Sequence, residues 1–407
     1  MSQLIEAHCY DIHINDNAFN KEGDNQTEIQ LWCFEKKKDK PASPALLRVR
    51  DFPVFCKVEL PTKKNKYVKY IEWDHESSRN VMNDIYKSLD NKDVERPVKW
   101  TFTESDKLYY YSGGKKYPFL LLTFLTLKNM REVSRICRNL YTRFYGKIEL
   151  VFCEMDIDLY NKMFSLRSMG TCDKFTCRGD EILYDDPYRI SKKGIDTRPF
   201  AEYRIAWKTL KKVKNEDAWF SYPVIFSFDI ETYSHNHRCF PQKNFHEDII
   251  FSISITKQTF MKPETKEDLM IIIGPTNPIK DVVVYTVKDE YEIMEKFFDL
   301  VEEHDPDIFI GYNIFGFDYD YMNTRLIDVG KEWRNVGRLQ EKGCSMYCKS
   351  WNSGAYGFVK MNIFDCPGRI SIDMLPYIKR DHKLPMYNLS AVGKHFIGET
   401  KVDLKPI

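Results

Sequence analysis

The sequence lacks any uninterrupted apolar run of about 18 residues, the length a membrane-spanning helix requires, so no transmembrane helix is expected. Its start, MSQLIEAHCYDIHIND, has neither a basic n-region nor an apolar h-region, which argues against a secretory signal. A dense cysteine framework is missing too. The 11 cysteines are scattered, as in a reducing intracellular compartment where thiols stay free. No internal repeat is found, and the net charge is only +1. What is present is a chain of 407 residues, 43% apolar and 30% charged, able to bury substantial cores and to form about two domains.

The near-zero net charge hides an asymmetry. Residues 1–215 carry 39 Lys and Arg against 31 Asp and Glu, whereas residues 216–407 carry 22 against 29. A basic first half suits phosphate, and an acidic second half suits cations, although ordinary surface variation also produces such a difference. The two halves are read as an α+β domain over 1–215, of two small subdomains, and an α/β domain over 216–407.

In the first half, QLWCFEKKKDK (Gln30 to Lys40) reads as a strand entering a lysine-rich turn. LLRVRDFPVFCKVELP (Leu46 to Pro61) reads as two strands broken at Pro53, which cannot donate to a ladder. FLLLTFLTL (Phe119 to Leu127) suits a buried strand. The spacing of Met130, Val133, Ile136, Leu140 and Phe144 predicts a helix over Asn129 to Gly146. Beyond a charged connector at Leu210 to Tyr222, strands and helices alternate. VIFSFDIETYS and DIIFSISIT read as neighbouring strands, followed by DLMIIIG and VVVYTV. Lys288 to Asp305 is an amphipathic helix opening on a capping-box pattern at Asp289 and Glu292. DIFIGYN is a short buried strand, and FDYDYMNTRLIDVG a helix stopping at Gly330.

Chemistry concentrates on a few carboxylates. Asp229 and Glu231 lie two apart on a predicted strand, so both project to one side of it. Adjacent anions at the end of a buried strand are costly unless partnered, and Mg²⁺ or Mn²⁺ is the natural partner for hard oxygen ligands. The same pattern also fits solvated acids at a strand end. Downstream, a short strand delivers Tyr312 and Asn313, and a glycine-containing turn leads to Phe317 and Asp318 at a helix start. Asp318 could cap that helix. Alternatively, its carboxylate joins the Asp229/Glu231 pair, with Asn313 offering an amide to a nucleotide and Phe317 an apolar wall to a base. Asp320 is assigned no role.

Taken together, FDIET and GYNIFGFDYDY resemble the first and second motifs of the 3′→5′ proofreading exonuclease domain of family B DNA polymerases, with the same Asn-to-Asp spacing of five. GRISIDMLPYIKRDHKLPMYNLSAVGKHFIGETKVDL (Gly368 to Leu404) is similar to the segment that follows in eukaryotic delta-type enzymes and those of large DNA viruses. LLRVRDFPVFCKVELP resembles their N-terminal domain. The resemblance covers residues from about 28 to the end.

The resemblance implies a ribonuclease H-like α/β exonuclease domain, preceded by an α+β N-terminal domain, with a two-metal site that hydrolyses 3′-terminal phosphodiesters of DNA. Asp229, Glu231 and Asp318 match the catalytic, metal-binding acids. Tyr312, Asn313 and Phe317 match positions lining the terminal nucleotides, and Ile230 and Thr232 flank the acids near the 3′ end. Asp373 is read as structural. The implied partners are a single-stranded 3′ end and the template strand, at a nuclear or viral replication site.

The third exonuclease motif, a Tyr followed four residues later by Asp, is expected after HFIGETKVDL, and the sequence reaches Ile407 without it. SLYPS-like, KxxxNSxYG-like and YGDTDS-like polymerase signatures are also absent. The resemblance therefore implies a C-terminally incomplete exonuclease site with weak or no isolated activity. It fits half of a split polymerase, completed by a second polypeptide carrying palm, fingers and thumb, or a truncated product. The alternative is a non-catalytic nucleic-acid-binding half that serves as a scaffold. Cys172/Cys177 and Cys344/Cys348 sit near zinc-ligand spacing without a second matching pair, so free thiols are expected. His235 and His237 receive no role. The basic stretches EKKKDK, PTKKNK and LKKVK suit either single-strand contact or solvated loops.

Overall fold

The computed structural model describes residues 2–19, 23–38, 40–65, 68–70, 72–107, 113–182, 201–214, 219–236, 238–339, 342–354 and 357–400. Lys66, His237 and the KVDL end of the last resembling stretch lie outside the described residues. The chain divides into two compact units. The first is built from residues 1–38, 43–182 and 201–219, the second chiefly from 220–407.

In the first unit, strands Gln3–Phe19, Asn25–Glu35, Ser43–Val49, Ala201–Ile205 and Lys174–Glu181 pair in that order. Gln3–Phe19 also pairs with Lys174–Glu181, so the sheet closes on itself, with the short strand Lys211–Lys212 added beside Lys174–Glu181. A second sheet of four antiparallel strands packs against helix Leu127–Cys137, which in turn packs on helix His75–Leu89. The alternation in these strands sends Leu31, Cys33, Leu47, Val58 and Leu120 into one core.

The helix expected over Asn129 to Gly146 starts earlier and ends nine residues sooner than its apolar spacing suggested. It spans Leu127–Cys137, capped by the Thr126 hydroxyl, which accepts the Asn129 N–H at 3.1 Å. Asn139–Thr142 and Gly146–Glu149 then form a hairpin. Leu140 and Thr142 are buried while Asn139 and Tyr141 face solvent, a two-residue period that only a strand satisfies. Gly146 sits at φ +67° where the hairpin turns, a conformation that favours glycine.

The second unit is organised around one mixed sheet. Its elements are β1 (Val224–Thr232), β2 (Ile250–Thr259), β3 (Lys262–Ile273), β4 (Val282–Val287), α1 (Glu290–His304), β5 (Ile308–Gly311), α2 (Asp318–Asp328), β6 (Ser345–Ser353), β7 (Gly357–Asp365), β8 (Ile370–Asp373), α3 (Met374–Asp381) and α4 (Leu389–Phe396). The strand order is β4-β3-β2-β1-β5-β8. β1, β2 and β3 are antiparallel neighbours, and β5 runs parallel to both β1 and β8. β6 and β7 form a separate hairpin.

Every second residue of β1 enters the core. Phe226, Phe228 and Ile230 are buried with Phe297 and Phe298 of α1, Phe309 of β5 and Tyr319 of α2. Asp289 caps α1 by accepting the Glu292 N–H at 2.9 Å, and Glu292 reaches back to the Lys288 N–H at 2.9 Å. Gly330 closes α2 at φ +69°.

Candidate active site

The site is built where β1 runs past the end of β5. Because Phe226, Phe228 and Ile230 face the core, Ser227, Asp229 and Glu231 share the opposite face. The parallel pairing of β1 with β5 is recorded from Ile225 to Ser227, so β1 continues beyond its partner. The Ile230 N–H is taken up by the Asp318 carboxylate, whose Oδ1 accepts it at 3.1 Å. Asp318 is the first residue of α2, and Phe317 precedes it without any side-chain cap. The carboxylate therefore joins the strand instead of capping its helix.

Asp318 is only 2% exposed. Burial, and next the negative charge of Asp229, push its carboxyl up to about 7; the Ile230 N–H opposes the shift and Asp373 adds to it. Asp229 and Asp318 are thus brought together. Glu231 lies one step further on the same face, next to a bulge that offsets the pairing of Thr232 with Ile250. Among the described residues, no three His, Cys, Asp or Glu side chains converge on a point able to hold a metal ion. The donor set nevertheless fits a hard divalent cation: carboxylate oxygens, with one acid held protonatable near neutrality by burial and then by its neighbour.

The turn after β5 is held from below. Asp373, at the end of β8, accepts the N–H groups of Asn313 at 2.8 Å and Phe315 at 3.0 Å, and caps α3 through Leu375 at 2.9 Å. Both its oxygens are committed to backbone, as a structural acid's should be. Asn313 has φ +66°, an uncommon conformation for a non-glycine residue that persists only where its surroundings enforce it. Two glycines make the turn possible. A Cβ at Gly311 would lie 2.3 Å from the Ile314 side chain and 2.9 Å from the Phe228 carbonyl oxygen. One at Gly316 would lie 2.4 Å from the Asn313 amide oxygen.

The remaining expected residues fall into two groups. Phe317 is half-buried, its ring centroid 5.6 Å from Phe240 and 5.4 Å from Tyr321. Tyr312 donates its hydroxyl to the Tyr387 carbonyl, and with Asp229 it lines a cavity of about 560 Å³ over the acidic face of the sheet. The Ile230 side chain lies in the core, so only its backbone reaches the site. His235 is bound to Asp248, whose Oδ1 accepts the His235 N–H and meets its ring Nδ1 at 2.6 Å. Asp320 pairs with Lys243.

Sequence reading missed a buried support. Arg325 on α2 grips Glu290 through Nε and Nη2 at 2.8–3.0 Å, and binds the Phe245 and His246 carbonyls at 3.0 Å. Glu290 in turn accepts the Ile250 N–H at 2.7 Å. The pair fixes α2, and with it Asp318, against β2. An arginine within an otherwise apolar helical stripe was the available signal.

A mixed sheet of this order, with antiparallel β1–β3, parallel β5 and β8, and acids on the face of β1 near the start of α2, is the layout of a ribonuclease H-like exonuclease domain. The sequence profile of the exonuclease domain of DNA polymerase family B matches residues 152–392. The chain belongs to that family. It is 34% identical to DNA polymerase 120R of Invertebrate iridescent virus 3, an alignment that covers 100% of this chain and 35% of that protein. Identity to the DNA polymerase delta catalytic subunit of Schizosaccharomyces pombe is 28%, over 74% of this chain and 27% of that one. The family B DNA polymerase of the archaeon Pyrobaculum calidifontis shares the fold, with a TM-score of 0.63 at 15% identity over 96% of this chain and 39% of that structure. The chain thus spans about a third of the length of these relatives.

Proposed function

We propose that this chain is the N-terminal and proofreading-exonuclease portion of a DNA polymerase, acting on single-stranded DNA 3′ ends at a viral or nuclear replication site. The observation that carries the reading is the buried Asp318 carboxylate, bonded to the Ile230 N–H and raised to about 7 beside Asp229. Two mutually repelling acids brought together at the head of an aromatic core suit a cation. Asp229, Glu231 and Asp318 would hold Mg²⁺ or Mn²⁺. When bound, such a cation lowers the pKa of water and neutralises charge at a phosphodiester.

The chain's own residues position the substrate. The Asn313 amide, seated against Gly316, is offered to the terminal nucleotide, and Phe317 with Phe240 gives a base an apolar surface. Tyr312, fixed by Tyr387, lines the cavity next to Asp229, and Thr232 edges the 3′ end. That cavity is bordered by apolar side chains of α3 and α4, including Ile378, Val392 and Phe396. We read it as the seat of a second polypeptide that supplies a fourth acid and carries palm, fingers and thumb. Such basic stretches as contact DNA are reduced by internal pairing: Lys36 bonds Glu6 at 3.2 Å, Lys37 bonds Glu35 at 2.5 Å and Lys212 bonds Asp173 at 2.9 Å.

The test is digestion of 3′-labelled single-stranded DNA with Mn²⁺. Slow release of mononucleotides from the 3′ end, lost in Asp229→Ala, is expected. Robust digestion abolished by that substitution would keep the nuclease reading and overturn the fourth-acid claim. Release from the 5′ end would overturn both.

A further inference from the structure

The second unit carries a thiol pair that the exonuclease reading leaves unused. Cys344 immediately precedes β6 and Cys366 immediately follows β7. In that hairpin Ser345 faces Asp365, so one step beyond the last paired residues places Cys344 opposite Cys366. Their Sγ atoms are 3.5 Å apart. Residues directly opposite in an antiparallel ladder have Cα atoms about 4.5–5.5 Å apart, within the span of about 4.4–6.8 Å that a disulfide bridges. Closure therefore asks for side-chain rotation and little backbone movement.

The two sulfurs differ in access and chemistry. Cys344 is partly accessible and Cys366 is buried, with 2% exposed. The hydrogen bond shared with the Cys366 thiol, the N–H groups of Gly337 and Val336, and the charge of Arg369 hold the Cys344 thiol below the usual range against the opposing effect of burial. Burial pushes Cys366 well above it. The sulfur that ionises more readily is therefore also the reachable one, and the other lies behind it. The first unit provides an internal contrast. Cys9 faces Cys33 across paired strands, but both are buried, at 2% and 0% exposed, and burial raises Cys33.

We propose that Cys344 and Cys366 are a peroxide-responsive dithiol that closes into an intramolecular disulfide across the base of the β6–β7 hairpin. The Cys344 thiolate attacks one oxygen of hydrogen peroxide, the O–O bond breaks, and the departing hydroxide takes a proton to become water. Cys344 is then a sulfenic acid. Cys366 attacks that sulfur, the S–S bond forms as the S–O bond breaks, and the second hydroxide leaves as water with the Cys366 proton. Two thiols lose two electrons and two protons, and one peroxide becomes two waters. The strand this bond would anchor already touches the nucleotide turn, because the Asn362 N–H donates to the Phe315 carbonyl at 2.8 Å. Oxidation would thus stiffen the hairpin beside Asn313 and Phe317. The thiol chemistry does not depend on the exonuclease reading.

The experiment treats the full chain with graded hydrogen peroxide, alkylates the remaining thiols and maps peptides without reduction. A Cys344–Cys366 linked peptide is expected, forming about tenfold faster than oxidation of exposed Cys348 and reversed by dithiothreitol, while Cys9 and Cys33 stay alkylatable after unfolding. Cys366→Ser should leave a dimedone-reactive sulfenic acid on Cys344. Recovery of both Cys344 and Cys366 as free thiols, at peroxide levels that oxidise Cys172, Cys239 and Cys348, would overturn the proposal. So would linkage of Cys344 to Cys348 in place of Cys366. The wild-type map decides the matter even if a variant folds poorly.

Discussion

Each unit buries a carboxylate, and the two are treated in opposite ways. In the first unit Glu28 is fully buried among cations. Arg48 Nη1 donates to it at 2.6 Å, Arg50 Nε donates to its other oxygen, Gln30 adds a bond at 2.9 Å, and Arg48 also holds Glu202. Burial alone would raise Glu28, but the arginines outweigh it and hold the carboxyl below the usual range. In the second unit Asp318 is just as hidden, yet the charges acting on it are the negative ones of Asp229 and Asp373. The first cluster is complete within the protein. The second, on the function proposed above, would be joined by a cation from outside. A buried acid marks function when its surroundings repel its charge, and architecture when they neutralise it.

Four substitutions would break or sharpen this contrast. Arg48→Ala should be the most damaging, leaving Glu28 and Glu202 buried without their shared cation and costing about 3–5 kcal/mol in urea unfolding. Asp373→Ala leaves the Asn313, Phe315 and Leu375 N–H groups without their acceptor, at a cost on the order of 2–3 kcal/mol. NMR signals of the turn over residues 312–316 should broaden in this variant while those of the first unit stay unchanged.

Asp318→Asn should act in the other direction. The folded carboxyl titrates near 7 and the unfolded one near 3.8, so the folded state binds the extra proton between those values. Native stability therefore falls as pH rises through that window, and the penalty is fully present above it. Without divalent ions the variant should be more stable than wild type by about 1–2 kcal/mol above neutrality, and the difference should vanish below about pH 4. Asp320→Ala, which loses a surface pair with Lys243, should change stability by less than about 0.5 kcal/mol.

Legibility in the sequence followed the range of the interactions. The strand bearing Asp229 and Glu231 announces itself through Phe226, Phe228 and Ile230, because side-chain alternation is a local property. Helix α1 is equally local, with its apolar stripe and its Asp289 cap. The stretch after Cys137 misled because Leu140 and Phe144 extend a helical spacing by chance, whereas burial on the hairpin selects Leu140 and Thr142. Closure of Gln3–Phe19 against Lys174–Glu181 left no trace in either segment, since pairing over that distance in the chain is fixed by packing alone. For the same reason the spacing could pair Asn313 with Asp318 but could not show that Asp318 turns away from its helix to bond Ile230. Nor could it show Asp373 beneath the turn.

The central claim is that the Asp229–Asp318 pair is finished by a divalent cation. The direct measurement is the melting temperature of the second unit's transition in the intact chain, with and without Mn²⁺, for wild type, Asp229→Ala and Asp318→Asn at about pH 8. A ligand that binds only the folded state raises the transition in proportion to the logarithm of its concentration. The account predicts such a rise for wild type and its loss in both variants. An unchanged melting temperature in wild type, or an equal rise in all three, would contradict it.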